Sequence, residues 1–126
     1  MENKPLSLLE LNSLVRRSIT SCLPDEYWVQ AELSDVRVNY SGHCYLEFVQ
    51  KDATGNALLA KARGIIWANV FTRLRSYFER ETGQAFVSGL KVLVKVTVDF
   101  HELYGYSLTV VNIDPTYTLG DMVRRR

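Results

Sequence analysis

Val92, Val94, Val96 and Val98 alternate without a break against Leu93, Lys95 and Thr97. A period of two built on β-branched residues is the mark of a strand with one buried face. The same period recurs four more times. From Tyr27, Val29, Ala31 and Leu33 alternate with Trp28, Gln30, Glu32 and Ser34, and after the turn Asn39-Tyr40-Ser41-Gly42 the residues Cys44, Leu46 and Phe48 alternate with His43, Tyr45 and Glu47. A polar turn from Asp52 to Asn56 leads into a third strand, Leu58 to about Trp67, whose outward set would be Lys61, Arg63, Ile65 and Trp67. Beyond the valine run, Asp99 to Gly105 reads as a loop and Tyr106 to Ile113 as a fifth strand closed by Pro115. The alternation falters at Val110 and Val111, which predicts a bulge.

Two segments switch to helical spacing. Ser7-Leu8-Leu9-Glu10 is a capping box, with Leu6 and Leu11 at staple spacing around it. Leu8, Leu11, Val15 and Ile19 then form one apolar stripe that Pro24 brings to an end. Phe71, Leu74 and Phe78, flanked by Val70 and Tyr77, mark a second helix, and Gly83 is placed to end it in the left-handed conformation. Five short strands with a helix between the third and fourth define a mainly β chain with the order of an OB-fold, a five-stranded Greek-key barrel. The division expected is an N-terminal helix packed on the barrel over 1–25, the barrel over 26–117, and the start of a linker over 118–126.

With 126 residues, 47% hydrophobic and 23% charged, the chain has the composition of one globular domain. No stretch is apolar enough to span a bilayer and no secretory signal precedes the first helix, so the sequence reads as cytosolic. Cys22 and Cys44 lack the spacing of a metal knuckle and read as thiols packed like small hydrophobes. Lysine and arginine number 15 against 14 acidic residues, a net charge of +1. Any nucleic-acid site must therefore be a local patch.

Leu6-Ser7-Leu8-Leu9-Glu10-Leu11-Asn12, then Trp28-Val29-Gln30-Ala31-Glu32-Leu33-Ser34, then Ser41-Gly42-His43-Cys44-Tyr45 resemble, in order and spacing, the N-terminal domain of exodeoxyribonuclease VII large subunits. Gly89 to Val98, Glu102, Tyr106 and Asp114-Pro115 continue the likeness over nearly the whole chain. The resemblance implies an OB-fold that holds single-stranded DNA for a separate catalytic region, which works with a small subunit to degrade the strand to short oligonucleotides. It also implies a fragment, with Thr118 to Arg126 leading toward that region and Arg124-Arg125-Arg126 marking a boundary. Three features depart from the family pattern: a longer helix after the third strand, no Pro and Arg after Glu102, and the charge of Glu47 where the family is uncharged.

A binder of unpaired strands needs cations along the backbone and rings on which bases stack. His43 and Tyr45 on the second strand, with Lys61, Arg63 and Trp67 on the third, would interleave both on one face. Arg37 and Tyr40 would border it from the first loop, and His101, Tyr104 and Tyr106 from the other side. Other roles stand beside these: Trp67 serves equally as the start of the second helix, His43 as a turn residue bonding the backbone, Tyr104 and Tyr106 as flanks of Gly105. No His/Cys cluster, phosphate loop or carboxylate pair supplies a catalytic or metal centre, no cofactor is implied, and the fragment alone is expected to be inactive. The rival reading is a protein-docking platform with little DNA contact, favoured by the near-neutral charge and by Glu47.

Overall fold

The computed structural model describes residues 4–124. The terminal Arg125 and Arg126 of the basic tail lie outside them. The elements run α1 (Leu8–Cys22), β1 (Glu26–Val38), β2 (Cys44–Lys51), β3 (Leu58–Ile66), α2 (Ala68–Thr82), β4 (Lys91–His101), β5 (Gly105–Ile113) and α3 (Pro115–Arg124). The strands close into a barrel in the order β1-β2-β3-β5-β4, with β3 and β5 parallel and the other neighbours antiparallel. This is the OB-fold expected from the order of periods.

Closure depends on the length of β1. Glu26 to Glu32 pair with β4 and Glu32 to Val38 pair with β2, and the register slips between Leu33 and Asp35 where the strand turns from one neighbour to the other. That bulge also resets the alternation, so Leu33 is buried and Val36 packs partly buried against the same core. A second slip, between Lys95 and Val96, opposes Val110 and Asn112 on β5. It leaves Val111 as the extra residue, where the broken alternation foretold a bulge.

The barrel is filled by Leu33, Leu46, Phe48, Val92, Val94, Val96, Leu108 and Val110, and one end is plugged by Phe71, Leu74 and Phe78 of α2 with Phe86. Phe78 meets Phe86 edge-on, ring centroids 5.4 Å apart. Gly83 ends α2 at φ 66°, as its position predicted. The other end stays open as an apolar mouth lined by Tyr27, Val29, Phe48, Val98 and Leu108 among others.

Several expectations change. The fourth strand continues to His101, so the loop before β5 shrinks to the tight turn Glu102 to Tyr104. The capping box of α1 forms, with Glu10 N donating to Ser7 Oγ at 3.0 Å and Ser7 N to Glu10 Oε1 at 2.8 Å. Yet α1 buries no residue: Leu8 and Leu11 of its stripe stay exposed while Val15 and Ile19 are half-buried. Cys44 packs in the core, where burial pushes its thiol up to about 11, whereas Cys22 is exposed. The helix α3 was not foreseen. Asp114 Oδ1 accepts Thr116 N at 2.9 Å ahead of Pro115 in the first helical position, an Asp-Pro start signal read only as the end of a strand.

Gly64 answers to packing rather than to a turn. A Cβ there would lie 2.4 Å from Cε2 of Phe48, whose ring crosses it from β2. Gly64→Ala should therefore destabilise the barrel by about 1–3 kcal/mol, the range for overpacking a filled core. A lower urea midpoint at unchanged slope would register it.

Candidate nucleic-acid interface

Residues directly opposite in a ladder share a sheet face. Arg37 lies opposite Tyr45, Tyr45 opposite Ile65, and Ile65 opposite Thr109, forming one row across the outside of β1, β2, β3 and β5. In the neighbouring row Asp35 lies opposite Glu47, and Glu47 opposite Arg63. Lys61 extends the face by two residues along β3. Tyr45 and Arg63 thus point the same way, outward, with Cys44, Leu46 and Phe48 on the reverse side in the core. The six residues from Lys61 to Ile66 give this face about 17 Å along β3.

The first turn closes one end. Asn39 holds it by accepting His43 N at its Oδ1 (2.9 Å) and Gly42 N at its backbone carbonyl (3.0 Å), while Gly42 takes φ +89°. Tyr40 projects fully exposed from the tip. His43 faces the start of α2: its Nδ1 accepts Ala68 N at 3.0 Å, and its ring meets Trp67 edge-on at 5.0 Å. Trp67, half exposed, offers α2 no side-chain cap, so His43 satisfies an amide that the helix leaves open. Both residues carry the structural roles considered for them, and Trp67 also keeps an exposed ring face.

The hairpin from β4 to β5 closes the other end and is held from two sides. Arg63 Nη2 donates to the carbonyls of Tyr104 and, at 3.3 Å, of Tyr106. From α1, Asn12 Nδ2 donates to the Glu102 carbonyl at 2.8 Å, while Ser13 Oγ (3.0 Å) and Arg16 Nε (2.8 Å) share Glu102 Oε2. Asn12 and Glu102, far apart in sequence, meet here. His101 Nδ1 accepts the amides of Leu103 and Tyr104, and its ring stacks on that of Tyr104 at 4.8 Å. Tyr106 shares the inward face of Leu108 and turns to the barrel mouth, so the structure does not bring it to the outer face.

The charges on this face are already engaged. Arg37 Nε pairs with Asp35 at 2.9 Å and Lys61 Nζ with Glu47 at 3.4 Å. Ser34 Oγ donates to Glu47 at 2.8 Å and, with Lys61 adding to it, holds that carboxyl below the usual carboxylate range. Among the described residues no group of three or more His, Cys, Asp or Glu could hold a metal ion. What the face offers is rings beside cations, on an exposed sheet framed by two ordered turns.

This fold and face define a class, and the chain belongs to it: the family model described as the OB-fold nucleic acid binding domain matches residues 6–114. Within that class the chain is homologous to the exodeoxyribonuclease 7 large subunit, being 39% identical over 124 residues to that of Deinococcus radiodurans. The match covers 95% of this chain and 29% of the relative, so the chain spans under a third of the relative's length. The resemblance carried by the Leu-Asn, Trp-Glu and Ser-Gly-His-Tyr segments is borne out.

The Arg16 guanidinium, with help from Ser13, depresses the Glu102 carboxyl from 4.5 to about 2. A depressed carboxylate stabilises the fold in full above its unfolded value, and that contribution is lost as the pH falls through the folded value. Hydrogen exchange at the Leu103 and Tyr104 amides should therefore quicken between pH 4.5 and 2, beyond the intrinsic pH effect. In Glu102→Gln it should already be quick at pH 4.5 and gain no such step; a step of equal size in the variant would dismiss the clamp.

Proposed function

We propose that this domain grips single-stranded DNA across the outer face of β2 and β3, between the Asn39–Gly42 turn and the β4–β5 hairpin. On this reading it serves the large subunit of an exodeoxyribonuclease VII, holding the strand for a catalytic region elsewhere in the longer protein. That region would work with a small subunit and release short oligonucleotides, in the cytoplasm. The observation that carries the proposal is that Tyr45 and Arg63 share one exposed face. Unpaired bases can lie on Tyr45, and on the outer side of Trp67, while Arg63 and Lys61 stand beside the path of the phosphates. A duplex keeps its bases stacked inside and offers those rings nothing flat. Among the described residues no helix is long and apolar enough to cross a membrane.

The pairing of Arg37 with Asp35 and Lys61 with Glu47 favours a second reading, a docking platform for protein. Salt separates the two. Phosphate contacts make affinity fall with the logarithm of salt concentration, by about 0.7 in slope per contact on a single strand, whereas an apolar interface hardly responds.

Titration against a single strand and a duplex of equal length, at two salt concentrations, tests the proposal. Tyr45→Ala should lose about 1–3 kcal/mol of binding with the salt slope unchanged, one stacked base. Arg63→Ala should lower the slope by about 0.7. Glu47→Gln should tighten binding severalfold by freeing Lys61. Equal affinity for duplex and single strand, or a silent Tyr45→Ala, would end this reading.

A further inference from the structure

The face just described pairs Arg37 and Lys61 with carboxylates of its own, whereas a groove beside it keeps, among the described residues, one arginine unpaired and another held only by an acid outside its lining. Between α2 and the bulged end of β5 lies an open groove of about 530 Å³, lined by Arg73, Ser76, Tyr77 and Arg80 from the helix and by Val111 and Asn112 from the strand. Leu74, buried, forms its floor. Arg73, Tyr77 and Arg80 follow one another at intervals of four and three, so they line a single flank of α2. The Arg80 guanidinium stands 5.9 Å from the centroid of the Tyr77 ring. Arg73 is exposed and has no partner among the described residues. Asn112 Oδ1 accepts the Ile113 amide at 2.8 Å, which leaves its NH2 to donate.

Three features identify the chemistry that would settle here. Among the described residues the lining contains no carboxylate; the nearest acid in contact is Glu81, 3.6 Å from Arg80 Nε and itself exposed. The donors are two guanidiniums, an amide NH2 and the Ser76 hydroxyl, suited to phosphate oxygens. The groove also continues the sheet face. Tyr45 leads across Ile65 to Thr109, and Val111 at the groove edge comes two residues after Thr109 on β5, roughly 12 Å from Tyr45 at ordinary strand spacing.

We infer that the α2–β5 groove is a second contact track for the phosphate backbone of the same single strand, and that Arg73 and Arg80 supply most of the salt-dependent part of its affinity. The inference rests on the reading of the sheet face as the place where bases stack. It assigns stacking and charge to adjoining surfaces: rings on β2 and β3, and on α2 the unpaired Arg73 beside Arg80, whose acid partner lies outside the groove lining. The bulge at Val111 is what sets Asn112 at the groove edge.

The test uses the whole chain and two oligothymidylates, of about 4 and about 16 nucleotides, the limits of site size for one OB-fold. On the longer strand the double variant Arg73→Gln, Arg80→Gln should show a salt slope shallower by about 1.4, two contacts' worth. On the shorter strand it should match the unaltered protein, while Tyr45→Ala weakens both lengths. Both arginines are exposed, so the double variant should melt like the unaltered protein. An unchanged slope on the longer strand, with Tyr45→Ala still weakening binding, would overturn the groove and leave the sheet face standing. A shallower slope with Tyr45→Ala silent would uphold the groove and sink the sheet face. Equal loss of slope on both lengths would overturn the track in favour of a diffuse field, and no binding at any length would overturn both proposals.

Discussion

Everything on the outer surface depends on one long strand serving two neighbours. Because β1 pairs first with β4 and then with β2, bending at its bulge, the sheet closes and its apolar set turns inward all round. Closure removes the free edges that an open five-stranded sheet would expose. It also decides which residues face outward, since a shift of one position would bury Tyr45 and expose Leu46. The crossing of Phe48 over Gly64 fixes the same register from inside.

A barrel of this kind separates rigidity from recognition. The core and the α2 plug hold the frame, and the surface carries groups whose charges largely cancel among themselves. Arg37, Lys61 and Arg63 each have a partner within the chain, so a phosphate must share or displace it. Such exposed pairs cost little to open, because water and salt already weaken them. Near-neutral net charge is thus compatible with binding a polyanion, provided the uncompensated cations are gathered in one place.

Most of the barrel was legible in the sequence, because alternation, capping and turn chemistry are local signals. The capping box, the Gly83 stop and the bulge at Val111 each appear where their residues predicted. The orientation of Tyr45, Lys61 and Arg63 was legible for the same reason: a strand's parity sets its faces. Other facts depend on partners distant in sequence and could not be read from spacing. His43 turning to Ala68, Arg63 reaching Tyr104, and Asn12 meeting Glu102 are consequences of the closed topology. Tyr106, two residues before Leu108 on β5, shares its parity and so turns to the barrel mouth. The α3 start was legible in Asp114-Pro115, but the proline was weighed only as a strand terminator.

The hairpin between β4 and β5 is moored to β3 through Arg63 and to α1 through Glu102, while His101 orders its tip. A loop that swings freely in solution must surrender conformational entropy whenever something settles on it. This one has already surrendered it during folding, which leaves less to subtract from any contact made on it.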